Sequence, residues 1–556
     1  MFILLALYLM VTLVAVVPAE AKKRTFELNI QPTFLNPDCF TQSYAVLTVN
    51  GQYPAPTVRV VVGDTVEFIV KNSGESNVST SIHIHGILQF GTNQADGVAG
   101  ITQVPVAPGC EYRQEFQIVN QTGTFYYHAH VGVQDDSIQG PFIVYEHEES
   151  LIKAEQEMLS ESLIQEGPFE YHEERILQWS EWWHQSMHDR QAYYTGSNFG
   201  DDAGPDSILL NGKSVYENCT MEDCPGFAVI DVKPNSIYRL RNIGGLTFRV
   251  LGIFIQHHNM TLIELDGEYV QPQLIDHLEL TPGQRSSVLI QTGNYPDGTL
   301  FPIASFYKWS LNYHKTYSPN GFGYIRYVSD KTKSASAIRV TDPPKSLPTT
   351  TPPQDRGWIL RDLKAINPSK PMLLTESPSR TIKLSMAQVK MPDNTTQFQN
   401  NGRVHKPWGN DTASLLDIIK ADPDPGPLDP IDGFSVKHQT YPVKLGEVID
   451  IVFQNMKNEA GLCVTHPWHT HGYSHYLIAE GPGDYDHDEH KNVFTYQQPL
   501  LRDVSMQYLW PDIPGERPCG WIKVRLYANN PGVWAVHCHI TAHMLQGKMV
   551  VLEVVP

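Results

Sequence analysis

Positive charge is scarce in this 556-residue chain: lysine and arginine total 41 against 60 aspartates and glutamates, a formal net charge of −19. That balance argues against nucleic acid or an anionic membrane surface as partner and suits a well-solvated surface. After residue 17 no apolar run approaches the roughly 20 residues that a spanning helix needs. Residues 2–17 are almost wholly apolar and end at Pro18-Ala19-Glu20-Ala21, an A-x-A-like cleavage site. The lysine or arginine usual ahead of such a stretch is missing, so a membrane anchor is the competing reading. The expectation is a signal peptide over residues 1–21 and a secreted chain without an anchor. Six Asn-x-Ser/Thr tripeptides, at Asn77, Asn120, Asn218, Asn259, Asn394 and Asn410, fit a secreted glycoprotein. Cysteine is limited to seven residues. Setting Cys538 aside for the reason given below, Cys39, Cys110, Cys219, Cys224, Cys463 and Cys519 can form three disulfides in an oxidising compartment, in an order the sequence does not choose.

Forty glycines and forty prolines, with many Val, Tyr, Phe and Thr residues, favour short strands and turns. The chain also repeats itself. Val62-Gly-Asp-Thr-Val-Glu-Phe-Ile-Val70, a His83/His85 pair, Thr122-Gly-Thr-Phe-Tyr-Tyr-His128-Ala-His130 and a strand from Gly140 to Tyr145 come early. Leu445-Gly-Glu-Val-Ile-Asp-Ile-Val-Phe453, a His469/His471 pair, Pro531-Gly-Val-Trp-Ala-Val-His537-Cys538-His539 and a strand from Gly547 to Val554 repeat that order late. A third copy between them, from Lys233 to Gly267, has no His-x-His; His257 and His258 are adjacent and read as structural or exposed. Three Greek-key β-sandwiches follow, an all-β fold over about 22–147, 171–340 and 371–556. An acidic helix and linker (148–170, with Glu148, Glu149, Glu155, Glu157, Glu161 and Glu166) and a proline-rich crossing (341–370) join them.

The chemistry lies in four histidine motifs: Ser81-Ile-His83-Ile-His85-Gly86, Tyr127-His128-Ala-His130, His466-Pro-Trp-His469-Thr-His471 and His537-Cys538-His539. Side chains alternate along a strand, so each His-x-His pair leaves one face and Cys538 points to the other. Eight imidazoles can then converge where the first and third sandwiches meet, a set suited to three coppers with positions open for oxygen. His466, His543 and Cys538 remain as a His₂Cys set, the donors of a blue electron-transfer copper site. One covalent segment thus links two metal centres. The pattern describes an enzyme that takes electrons singly from a reductant and passes four of them to O₂. Asp96, in Ala95-Asp96-Gly97, is a candidate to orient ligands or relay protons, or else a turn aspartate.

With these motifs the chain resembles the multicopper oxidases over essentially its whole mature length. Within them it is most similar to ascorbate oxidases and laccase-like enzymes, through His85-Gly-Ile-Leu-Gln-Phe-Gly-Thr-Asn-Gln-Ala-Asp96-Gly, Trp182-Trp183-His184-Gln185-Ser186, Ile208-Leu-Leu-Asn-Gly212 and Asn530-Pro-Gly-Val-Trp534. The resemblance implies cupredoxin-like sandwiches and four copper ions. It places His466, Cys538 and His543 on type 1 copper and His83 and His469 on type 2. His85, His128, His130, His471, His537 and His539 fall to the type 3 pair. It also implies a reductant pocket walled by Trp182 and Trp183 beside His466, with Trp408 a looser second wall and Glu181 accepting a phenol's proton. The implied partners are O₂ and a small reductant, an ascorbate-like enediol or a phenol. An iron(II) oxidase is the alternative enzyme and a copper-binding surface protein without turnover the alternative outside enzymes.

Three positions depart from the family pattern. Ile84 stands where a tryptophan is frequent. Thr541 stands where many relatives carry a carboxylate. Lys548, ten residues after Cys538, stands where an axial Met, Leu or Phe is usual. Either Lys548 turns away from the metal or a bulge substitutes Met549.

Overall fold

The computed structural model describes residues 21–156, 162–202, 204–217, 222–308, 321–329, 338–345, 363–366, 376–409, 412–510 and 518–555. The expected signal peptide, Glu157, Glu161, Cys219, Asn218, Asn410 and most of the proline-rich crossing lie outside these residues.

Six sheets form three face-to-face pairs. The first pair joins a sheet of Lys23–Leu35, Tyr44–Val49, Thr65–Asn72 and Glu111–Gln117 to one of Val58–Val61, Ile82–His85, Gly123–Ala129 and Gln139–Tyr145. Six- and five-stranded sheets make the second pair, seven- and five-stranded sheets the third. The same two parallel pairings recur in each. An early strand lies parallel to a later one in Lys23–Leu35 with Thr65–Asn72, Glu173–Trp182 with Ile237–Gly245, and Arg380–Lys390 with Val448–Met456. In the opposite sheet a short strand lies parallel to the last one: Val58–Val61 with Gln139–Tyr145, Ala228–Val232 with Phe322–Tyr327, and Tyr441–Lys444 with Met549–Val555. The chain is all-β, three cupredoxin-like sandwiches, as the repeated motifs predict. Each encloses an apolar core, with Phe68 and Phe142 in the first, Leu240 and Ile253 in the second, and Phe453 and Trp468 in the third.

The connectors differ from expectation. The acidic helix is confined to Glu148–Glu155, and Glu166 instead ends a strand, Ile164–Glu166, that pairs with Phe169–Tyr171. Glu166 is buried there because its carboxylate accepts the Glu146 amide. Of the proline-rich crossing, residues 363–366 return to the second sandwich: Leu363 enters its core and Ala365 bridges to Val270. Disulfides join Cys39 to Cys224 and Cys463 to Cys519, while Cys110 is exposed and unbridged. Asn77, Asn120, Asn259 and Asn394 are all exposed. His258 is buried between the Tyr327 hydroxyl and the Gln256 carbonyl. No helix among the described residues is long and apolar enough to cross a membrane.

Candidate metal centres

Strand register delivers the histidines. His469 lies opposite His537 and Trp468 opposite Cys538 across the pairing of His466–Thr470 with Gly532–Cys538. Period-two alternation then puts His469, His471 and His537 on one side, and His466 and Cys538 on the other. In the first sandwich His83 lies opposite His128. Where the first and third sandwiches meet, donor atoms form close groups: His85, His128 and His539; His130, His471 and His537; and His83 and His469 with His85. His471 Nε2 is 3.0 Å from His537 Nε2, His130 Nε2 is 3.5 Å from the same atom, and His83 and His469 are 3.5 Å apart through their Nε2 atoms.

These rings are held by their outer nitrogens. The Nδ1 atoms of His83, His469, His128 and His537 donate to the carbonyls of Asp96, Asp503, Ala129 and Cys538 at 2.7–3.0 Å. His471 Nδ1 donates to Asp96 Oδ2 at 3.0 Å. With Nδ1 protonated, each Nε2 lone pair faces inward, and His128 Nε2 is buried with no protein partner. His85 is reversed: its Nε2 donates to Asp503 Oδ1 at 3.2 Å, and its Nδ1 faces His539 Nε2 at 3.3 Å. Burial drives His85, His128, His130, His469, His471 and His539 well below the usual imidazole range, and His537 to about 4. Neutral imidazoles whose inward nitrogens face one another, with His128 Nε2 left without a protein partner, are a donor set for metal ions.

On the other side of the strand, Cys538 Sγ is 3.6 Å from His466 Nδ1 and 3.6 Å from His543 Nδ1. Burial pushes the thiol up to about 12 and His543 down to about 3. Burial thus disfavours a free thiolate, and a thiolate stabilised by a bound metal, soft and flanked by two imidazoles, fits copper. Lys548 turns to His466, with Nζ 3.0 Å from Nε2, and lies against Phe398. Met549 packs elsewhere, with Val98, Ile101 and Val533. Of the two expected alternatives, the lysine turns to the histidine's far edge.

That contact leaves His543 the more open of the two histidines. His466 is 1% exposed and closed off by Lys548, whereas His543 is only half-buried. Both line a pocket of about 240 Å³ walled by Phe199, Phe248, Phe398 and Leu462, with Arg249 and the Cys463 disulfide at its sides. The tryptophans expected there are absent from its wall. Trp182 packs on Val46 and Leu209, and Trp183 lies beneath the Arg190 guanidinium at 3.2 Å. Trp408 meets His405 at a tilt of 52° in a separate small pocket. Glu181 is buried rather than facing a substrate. Its oxygens accept the amides of Thr247, Phe248 and Arg249 at 2.7–2.8 Å, and burial raises it to about 7. Through those amides it holds the segment that supplies two pocket residues, Phe248 and Arg249. Glu181→Ala is therefore expected to raise KM about tenfold with the blue colour unchanged, since leaving buried amides without their acceptor costs about 1–3 kcal/mol, part of which falls on substrate binding. Steady-state kinetics beside an absorption spectrum checks it.

Several residues beside the histidines escaped sequence reasoning. Asp503 and Arg285 carry no motif, and Tyr126, two residues before His128, shows no role by spacing; its hydroxyl is 3.1 Å from His539 Nε2. Thr541 donates to the buried Asp135 at 2.6 Å, so the second atom layer at that position does contain a carboxylate, from the first sandwich.

Comparison with known proteins agrees with this geometry. Residues 29–149, 173–329 and 407–556 each match a family model described as multicopper oxidase. The chain belongs to the multicopper oxidase family, oxygen-reducing enzymes for which four copper ions are the standard complement. It is 28% identical to an L-ascorbate oxidase of Cucumis sativus, over 95% of this chain and 89% of the relative. It is 29% identical to laccase-like multicopper oxidase 1 of Thermothelomyces thermophilus, over 90% of this chain and 82% of the relative. The solved structure of Fet3p, a multicopper oxidase that functions in iron import, superposes with a TM-score of 0.74 at 25% identity, covering 96% of this chain and 90% of that one.

Proposed function

We propose that the chain oxidises a small organic reductant, an enediol or a phenol, at the pocket beside His543. His466, Cys538 and His543 would hold type 1 copper, His83 and His469 type 2, and the groups His85/His128/His539 and His130/His471/His537 the type 3 pair. Bound copper supplies the one-electron redox chemistry that couples four oxidations of reductant to the conversion of O₂ into two waters. The chain's residues do the rest. His543 offers its half-buried edge to the pocket, Phe199, Phe248 and Phe398 exclude water there, and Cys538 joins the two donor sets through its bonds to His537 and His539. Asp96 fixes His83 and His471. We place the mature chain outside the cell, in keeping with the two disulfides among its described residues and the apolar run at residues 2–17.

The observation that carries this reading is the aromatic pocket against His543. Its volume lies just below the ~300 Å³ at which most ligand pockets begin, which suits a single-ring molecule. Asp201, Asp202 and Glu459 on its wall favour the second reading, oxidation of Fe²⁺. Asp202 already accepts the Tyr194 hydroxyl and the Gly204 amide, leaving fewer oxygens for a cation. Oxygen uptake by copper-loaded, chelator-washed protein is to be compared with ascorbate, a methoxyphenol and Fe²⁺. At least tenfold greater kcat/KM for an organic reductant is expected; faster Fe²⁺ turnover that falls in Asp201→Asn would transfer the assignment to iron.

A further inference from the structure

The second sandwich has no His-x-His motif, yet its residues reach the histidine groups. Arg285 opens the strand Arg285–Gln291 of that sandwich and is fully buried. Its Nη1 and Nη2 each donate to one oxygen of Asp503 at 2.6 Å, a two-pronged pairing. Its Nε donates to the Thr124 carbonyl, on the strand that also carries His128, and Nη1 to the Gly283 carbonyl. Asp503 in turn accepts from His85 Nε2 through Oδ1 and from His469 Nδ1 through its carbonyl. The adjoining turn comes as close: Gly283 has φ +79°, and a Cβ there would lie 2.8 Å from both His85 Cε1 and His539 Cδ2.

We propose that Arg285 is a positioning residue for the eight-histidine group. By fixing the Asp503 carboxylate it sets the reversed orientation of His85, whose Nδ1 rather than Nε2 faces inward, and it makes the second sandwich a working part of the trinuclear site. An unclamped Asp503 would be free to rotate, and His85 could turn its protonated nitrogen inward, where it cannot ligate. A bridge that merely glues two sandwiches predicts something else. The buried Arg239–Glu264 pair provides the comparison: Glu264 accepts the Thr124 amide at 2.7 Å across the first-to-second boundary that Arg285 Nε also crosses, with no histidine among its hydrogen-bond partners.

The inference rests on the ligand assignment proposed above. If that assignment fails, wild-type protein will lack type 2 and type 3 signals; if only this inference fails, the Arg285 variants will have them. Copper per chain, the type 1 absorption, the type 2 electron paramagnetic resonance signal, the type 3 near-ultraviolet band and the melting temperature are to be measured for wild type, Arg285→Gln, Arg285→Lys and Glu264→Gln. Arg285→Gln is expected to stay blue while copper falls from four ions toward about one and the type 2 and type 3 signals disappear. Arg285→Lys should keep a fraction of those signals, because one ammonium can replace only one prong. Glu264→Gln should melt lower with all signals intact. Full type 2 and type 3 signals in Arg285→Gln would overturn the inference, as would loss of all copper in step with melting temperature in both Arg285→Gln and Glu264→Gln. Should Arg285→Gln not fold, wild-type signals in Arg285→Lys overturn it and weakened ones with the blue band retained support it.

Discussion

Cys538→Ser is expected to remove the blue colour and to lower oxidation of every reductant together, on the order of 10³-fold or more. The substitution is nearly isosteric, and the strand Gly532–Cys538 keeps its backbone pairings with both neighbours, so the sandwich survives. What changes is the donor. Cys538 Sγ stands 3.6 Å from the Nδ1 atoms of both His466 and His543, and a hydroxyl in that place stays protonated and hard where a thiolate is soft. The eight-histidine group lies on the opposite side of the strand, so its type 2 and type 3 signals should persist. Absorption spectra and oxygen uptake with three chemically different reductants check this. Turnover retained with any one of them would mean that electrons bypass the Cys538 segment.

Asp96→Asn is expected to lower kcat by about 10–100-fold while leaving the type 1 band intact, the usual scale for losing a group that orients metal ligands. Asp96 is fully buried; its carbonyl accepts His83 Nδ1 at 2.7 Å and its Oδ2 accepts His471 Nδ1 at 3.0 Å. One aspartate therefore sets two rings that belong to different donor groups. An asparagine keeps the carbonyl contact, loses the charge, and can turn an amide N–H toward a nitrogen that is itself a donor. Asp96→Glu retains charge but lengthens the arm within a site where Gly97 already lies against the Ile82 carbonyl. It should be impaired as well. Near-ultraviolet absorption of the type 3 pair, followed beside kcat, separates a misplaced His471 from a blocked proton path: only the first weakens the band. Wild-type kcat in Asp96→Asn would reduce this residue to a turn aspartate.

The donor groups were legible in the chain because their geometry is local. His-x-His on a strand has one outcome, and His537-Cys538-His539 needs only alternation to face two ways. The pocket was not legible. Phe199, Phe248, Phe398 and Leu462 are far apart in sequence and meet only through packing between the second and third sandwiches. Resemblance pointed to Trp182 and Trp183, but these end a core strand and turn into Val46, Leu209 and Arg190. Glu181 shows the same limit: an acid beside two aromatics looks poised for substrate, whereas three backbone amides occupy it. Arg285 opens an ordinary strand and Asp503 sits at a bend between two short ones, and a pairing across 218 residues leaves no periodic mark.

The account turns on copper at both faces of one strand serving a single four-electron reaction. The most direct test counts copper per chain and electrons consumed per O₂ on the same sample, with hydrogen peroxide assayed alongside. Four coppers, a blue band, four electrons per O₂ and no peroxide are predicted. A colourless, copper-poor protein, or two electrons per O₂ with peroxide released, would contradict it.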